Sequence, residues 1–179
     1  ERNPMRAADP AAAERMVERV ATLAEAGNSC GGVVECRVSG VTAGIGDPVF
    51  DKLDAMLAHG MLSLGAVKGI EFGTGFACAD MEGTEHNDER DESGFLTNHA
   101  GGVLGGISTG QEIVFRVAVK PTSSISMQQR TTDTDGNPRT IVTEGRHDPC
   151  ICPRIVPVVE AMTALVLEDQ YKLQAALHA

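Results

Sequence analysis

Three short stretches concentrate the residues able to do chemistry. GRHDPC, residues 145–150, sets a fixed cation, an imidazole and a carboxylate side by side. Arg146 carries a planar fork that can hold two oxygens of a phosphate or carboxylate. Asp148 can accept a proton or orient a group that does. Asp148-Pro149 is equally an ordinary turn opener. KPTSSIS, residues 120–126, follows Lys120 with Pro121, Thr122, Ser123 and Ser124. One ammonium, several hydroxyls and the local N–H groups make a cradle for an oxyanion or phosphate. A proline-initiated turn with a surface lysine fits the same letters. NHAGGVLGGISTG, residues 98–110, holds five glycines and one titratable side chain, His99. Bare backbone of this kind admits a phosphate or a flat ring closely, and it also builds tight strand connections. It is neither a Walker loop nor the GxGxxG fingerprint. No GxSxG elbow accompanies Arg146-His147-Asp148, which argues against a nucleophilic triad. His59, His86 and His178 read as surface or structural histidines.

Composition narrows the classes. The net charge is −10, the reverse of a nucleic-acid-binding footprint. Six acidic residues against one arginine lie in MEGTEHNDERDESG, 81–94, a solvated loop without EF-hand spacing. The cysteines are 30, 36, 78, 150 and 152, with no CxxC pair, so no metal site is expected. Free thiols in the cytoplasm are the expectation. No run has the length and apolarity of a membrane span. Aromatic residues are 3% of the chain, so aliphatic and methionine side chains must fill the core.

The elements that must position these stretches follow from caps and periodicity. Asp9 and Pro10 start a helix that Gly27 stops, with Met16, Val17, Val20, Leu23 and Ala24 as its apolar stripe. VVECRVSGV, 33–41, alternates as a half-buried strand. Asp47-Pro48 signals a second helix, with Phe50, Leu53, Met56, Leu57 and Met61 inward. Residues 66–81 read as one or two strands around a turn at 73–75, and 112–120 as another strand. Asp135-Gly136 predicts a hairpin whose second arm lies in 136–145. Pro157 predicts the start of a last helix reaching about Ala176, with Val158, Met162, Leu165, Val166 and Leu173 inward. The fold class is α+β, an antiparallel or mixed sheet with helices packed on one face.

Four long motifs, in order, carry a family resemblance. GNSCGGVVECRVSG, GDPVFDKLDAMLAHGMLSLGAVKGIEFGTGF, SGFLTNHAGGVLGGISTGQEIVFRVAVKPTSSIS and GRHDPCICPRIVPVVEAM resemble chorismate synthase across residues 4–175. The match is to that family's C-terminal half, as the abrupt start at Glu1-Arg2-Asn3-Pro4 also suggests. Residues 1–179 are expected to form one lobe of the family's β-α-β sandwich, within a homotetramer.

The resemblance implies a lyase of the shikimate pathway to aromatic amino acids. It would eliminate phosphate from 5-enolpyruvylshikimate 3-phosphate in a 1,4-anti sense, giving chorismate. Reduced FMN would be required without net redox change. The family's FMN contacts fall on Gly65, Ala66, Gly105, Lys120, Pro121, Thr122, Ser123, Ser124 and Arg146, and its flavin-proximal aspartate on Asp148. On that reading the glycines of 98–110 make room for the flavin, while Asn98 and His99 have no assigned role. Many relatives carry Asn-Ala where this chain has Gly65-Ala66. The family's catalytic histidines and substrate-phosphate arginines belong to its N-terminal half, so these residues by themselves are expected to lack full activity. A non-catalytic flavin-binding or interaction module derived from the fold is the alternative. A flavin oxidoreductase with net NADP-linked turnover lacks a nicotinamide fingerprint, although some relatives reduce flavin.

Overall fold

The structure, a computed structural model, describes residues 2–177, so His178 lies outside the described residues. In chain order the elements are α1 (Pro10–Glu25), β1 (Gly32–Val38), α2 (Leu53–Leu62) and β2 (Val67–Phe72). A 3-10 segment (Gly75–Asp80), α3 (Gly83–His86), β3 (Arg90–Asp91), β4 (Gly94–Phe95), β5 (Val103–Leu104) and β6 (Ile107–Ser108) follow. Then come β7 (Ile113–Val119), β8 (Gln129–Thr132), β9 (Pro138–Ile141) and α4 (Cys152–Leu177). The class is α+β, as the periodicities predict. The chain divides into two compact units.

Unit one takes the residues up to Gly32 together with Val119–Val156. Helix α1 begins as its cap signal requires. The Asp9 carboxylate accepts from Ala11 N at 2.9 Å, and Pro10 occupies the first turn, where an N–H would be unpaired anyway. Only Ala13 and Leu23 of the helix are buried, while Met16 and Val17 are exposed, so its stripe is narrower than predicted. The hairpin β8–β9 is antiparallel, pairing Gln129 with Ile141 and Thr132 with Pro138. Its turn is organised by Asp133, whose carboxylate accepts from the N–H groups of Asp135 and Asn137.

Unit two takes Val33–Ala118 and the chain from Pro157 on. Its sheet has the order β1-β7-β2. Period-two alternation works as expected: Val34 and Cys36 on β1 and Ile113, Phe115 and Val117 on β7 are buried. On β7, Arg116 pairs with Glu71 of β2 at 3.0 Å, so the other face is polar. Leu53, Leu57 and Met61 of α2 are fully buried. Gly60 lets α2 approach α4, since a Cβ there would lie 3.1 Å from Met162 Cγ. Cys36 Sγ lies 3.7 Å from Thr163 Oγ1 on α4, which places that helix on the buried face.

Three sequence expectations change. Helix α2 starts at Leu53, not near Asp47, because Leu53 N is satisfied by Gly106 O at 2.8 Å rather than by an aspartate cap. Phe50 therefore lies before the helix and is 90% exposed. Helix α4 starts at Cys152, with Pro153 rather than Pro157 in its first turn and Ile155 N bonded to Ile151 O at 3.1 Å. Its inward line runs through Ile155, Val159, Thr163, Leu167 and Gln170, leaving Val158, Leu165 and Leu173 exposed. Thr163 is tolerated there because its hydroxyl donates to Val159 O at 2.7 Å. Residues 75–80 form the 3-10 segment instead of a second strand.

Phe115→Ala removes a fully buried ring and should cost roughly 3–5 kcal/mol, whereas Phe50→Ala should stay within about 0.5 kcal/mol. Chemical denaturation measures both; equal losses would put Phe50 in a core after all.

Candidate functional site

In unit one, three loops converge on one cavity of about 260 Å³. The turn after α1 contributes Gly27, Asn28 and Ser29, the KPTSSIS loop Ser124 to Ser126, and the GRHDPC loop Gly145 to Pro149. Two stretches that are far apart in sequence, KPTSSIS and GRHDPC, thus meet. The joins are specific. Ser126 N donates to Gly27 O at 3.0 Å and Cys30 N to Pro149 O at 2.8 Å. Ser29 Oγ donates to Thr122 O at 2.6 Å. Gly31 is required because any Cβ there would strike Val119 O.

The electrostatics of the cavity are simple. Arg146 is exposed and has no ion pair or hydrogen bond among the described residues. Asp148 is two-thirds buried, and Arg154 Nη1 holds its Oδ2 at 2.9 Å. Local sequence did not reveal Arg154: it lies six positions on, in the first turn of α4. His147 Nε2 lies 3.3 Å from Thr143 O, which ties it to the backbone. Thr122 Oγ1 is buried with no hydrogen-bond partner among the described residues. Such a hydroxyl costs about 1–3 kcal/mol unless a ligand or water meets it. Ser123 and Lys120 are exposed, and of the run from Lys120 only Ser124 lines the cavity before Ile125 and Ser126.

Unit two holds the glycine stretch, and backbone geometry claims most of it. Any Cβ on Gly101 would strike Gly73 N and Val114 O, so the loop lies directly against the turn after β2 and against β7. Gly105 and Gly106 form the two-residue turn of the β5–β6 hairpin, with φ of +61 and +90. Of this pair Gly105 faces open space, with nothing within 4 Å of a Cβ. Asn98 is structural: its side chain donates to Glu112 O at 2.8 Å and accepts from Gly102 N at 2.7 Å. Gly65 is exposed, and Ala66 has φ of +70, an uncommon conformation for a residue with a Cβ.

The acidic stretch is more than a solvated loop. One Asp88 oxygen accepts from His99 N at 2.7 Å and Thr97 Oγ1 at 2.8 Å; the other accepts from Ala100 N at 3.0 Å. Asp88 thereby clamps the start of the glycine stretch. The His99 ring stacks obliquely near His86, with centroids 5.9 Å apart. Among the described residues no three acidic, histidine or cysteine side chains are grouped to hold a metal.

The family model described as chorismate synthase matches residues 1–171. The chain belongs to the chorismate synthase family. It is 53% identical to a chorismate synthase of Opitutus terrae over 98% of this chain and 50% of that protein. It is 56% identical to one from Syntrophobacter fumaroxidans, over 94% of this chain and 48% of the relative. A crystal structure of chorismate synthase superposes with a TM-score of 0.72 at 31% identity, covering 90% of this chain and 43% of that one. The chain thus spans about half the length of the chorismate synthases it matches. Of the residues that the resemblance assigns to FMN, Lys120 to Ser124 and Arg146 belong to unit one, as does Asp148; Gly65, Ala66 and Gly105 belong to unit two.

The Asp88 clamp has a pH signature. Burial raises its carboxyl, but the hydrogen bonds from Ala100, His99 and Thr97 outweigh this and hold it below the usual aspartate value. A carboxyl depressed on folding stabilises above pH about 4, and that stabilisation is lost as pH falls through the lower folded value. Asp88→Asn should therefore lower the melting temperature at pH 7 and flatten its fall between about pH 5 and 2. A variant that keeps the parent's acid limb would show that Asp88 does not anchor the loop.

Proposed function

We propose that this chain supplies flavin-binding and proton-handling residues of a chorismate synthase that eliminates phosphate from 5-enolpyruvylshikimate 3-phosphate. Family membership supports the reaction class. The observation that carries the reading is the convergence of Ser124, Arg146 and Asp148 on one cavity of unit one. Its donors suit FMN: the Arg146 guanidinium, which has no ion pair among the described residues, and serine hydroxyls. When bound, reduced FMN supplies electron density to the substrate as phosphate departs, with no net redox change.

The chain's own residues bind, orient and hold a proton. Arg146 fixes positive charge, which favours an anionic ligand form. Thr122, Ser123 and Ser124 offer hydroxyl donors, Pro121 sets the bend of their loop, and Lys120 adds a mobile ammonium. Asp148 is the proton acceptor at the cavity wall, and Arg154 holds its Oδ2. Gly65 and Gly105, exposed, and the half-buried Ala66 offer backbone for close approach by a flat ring. The left-handed φ of Ala66 is the kind of strain that persists where function requires it. Full turnover and the homotetramer are proposed for the whole length of the enzyme, whose relatives are about twice as long as this chain.

Anaerobic titration of the intact enzyme with FMN, with and without substrate, tests this. Arg146→Ala should weaken flavin binding at least tenfold. Asp148→Asn should leave flavin binding within a few-fold and cut chorismate formation roughly 10²-fold or more. Unchanged flavin affinity in Arg146→Ala would remove the cavity from the cofactor site; unchanged turnover in Asp148→Asn would remove the aspartate from proton handling.

A further inference from the structure

Three of the five free cysteines lie in unit one: Cys30 and Cys150 each directly follow a residue of the cavity wall, Ser29 and Pro149, and Cys152 starts α4. The flavin chemistry proposed above uses none of them. Backbone geometry sets their spacing. Cys30 N donates to Pro149 O at 2.8 Å. A trans peptide puts its carbonyl oxygen beside the next Cα, so the Cα atoms of Cys30 and Cys150 lie within about 7 Å, inside disulfide reach or at its edge. Burial and then the neighbouring Cys150 push the Cys30 thiol up, which agrees with two sulfurs set near each other. Cys152 is the poorer partner. A Cβ on Gly32 would sit only 2.8 Å from its sulfur, so that side is closed, and burial followed by Cys150 pushes its thiol up to about 12.

The geometry points to Cys30 and Cys150 as an oxidation site: a dithiol that hydrogen peroxide converts to a disulfide, fixing the loop that carries Arg146 and Asp148. The step balances. The Cys150 thiolate attacks one peroxide oxygen; an S–O bond forms, the O–O bond breaks and water leaves. The Cys30 sulfur then attacks the Cys150 sulfur; the S–S bond forms, the S–O bond breaks and a second water leaves. Two thiols lose two electrons and one peroxide becomes two waters. The same balance holds with the two sulfurs exchanged, and the product is the same disulfide. Thiol reductants restore the open form. The cross-link spans 119 intervening residues, although the joined loops already touch. Oxidation therefore removes freedom from loop 145–150 without moving it.

Hydrogen peroxide, then alkylation of remaining thiols and non-reducing peptide mapping of the intact protein, tests the site. The expected result is a peptide joining Cys30 to Cys150, with Cys36 and Cys78 alkylated. Cys30→Ser and Cys150→Ser should each abolish that peptide and Cys78→Ser should not. Hydrogen exchange at residues 145–150 should slow at least several-fold on oxidation and recover with dithiothreitol. Recovery of Cys30 and Cys150 as alkylated residues after excess peroxide, or Cys150 joined to Cys152 instead, would overturn the pairing. A formed cross-link with unchanged exchange would overturn the loop-fixing role. None of these readouts uses turnover or flavin binding, so the site stands or falls separately from the proposed function.

Discussion

The site depends on one chain reversal, residues 27–31. Its carbonyl at Gly27, hydroxyl at Ser29 and N–H at Cys30 each take one partner: Ser126 N, Thr122 O and Pro149 O. The partners come from two loops that share no local sequence with the turn or with each other. A five-residue segment therefore fixes the KPTSSIS and GRHDPC loops at once, and the cavity is the space left among them. Gly31 closes the arrangement, because the backbone of Val119 occupies the volume where a side chain would be. Helix α1 matters to the site mainly as the rigid element that ends at this turn. Its cap and stop residues set where the reversal begins.

Unit two uses polar side chains in the same way. Asn98 pairs with Glu112 O and Gly102 N, while Asp88 collects three donors from residues 97–100. The glycine stretch is thus gripped from both ends. Between the grips, Gly101 yields its side-chain volume to neighbouring backbone and Gly105-Gly106 turns a hairpin. The abundance of glycine is chiefly a packing requirement, with Gly105 left as the position whose open face a ligand could use.

Legibility in the sequence followed the range of each interaction. Helix α1, strands β1 and β7 and hairpin β8–β9 were readable because a cap, a period of two or a turn pair is written within a few residues. The start of α4 was misplaced because two prolines, Pro153 and Pro157, both offer a helix-start signal, and only the bond from Ile155 N to Ile151 O decides between them. The inward line also lies one residue on from the expected one, through Val159, Thr163 and Leu167 rather than Val158, Met162 and Val166. Phe50 misled for a similar reason: its spacing suits α2, but the helix begins after it once Gly106 O satisfies Leu53 N. Arg146, Asp148 and Ser124 stood out by residue type. Arg154 and Ser29 did not, since their partners are recognisable only after folding; Ser29 reaches Thr122 across 93 positions. Asp88 was hidden among five other acids, of which Glu82, Glu85 and Asp91 bond only within one to three residues of themselves.

Averaging hid a further property. By sequence, unit one holds nine acidic and nine basic residues, and unit two holds sixteen and six. The whole net charge of −10 thus resides in unit two, while unit one is neutral. Within unit one, Asp148 is committed to Arg154 and Asp133 to Arg139, whereas Arg146 keeps its charge free at the cavity. A global acidity that argues against a nucleic-acid footprint therefore says nothing about a small anion at this cavity. Surface ion pairs contribute little to stability, so the Asp148–Arg154 pair is better understood as orientation than as glue. An aspartate aimed by one arginine, next to a second arginine left open, separates two tasks that a single cation would confuse. One arginine positions a carboxylate, and the other makes no ion pair among the described residues.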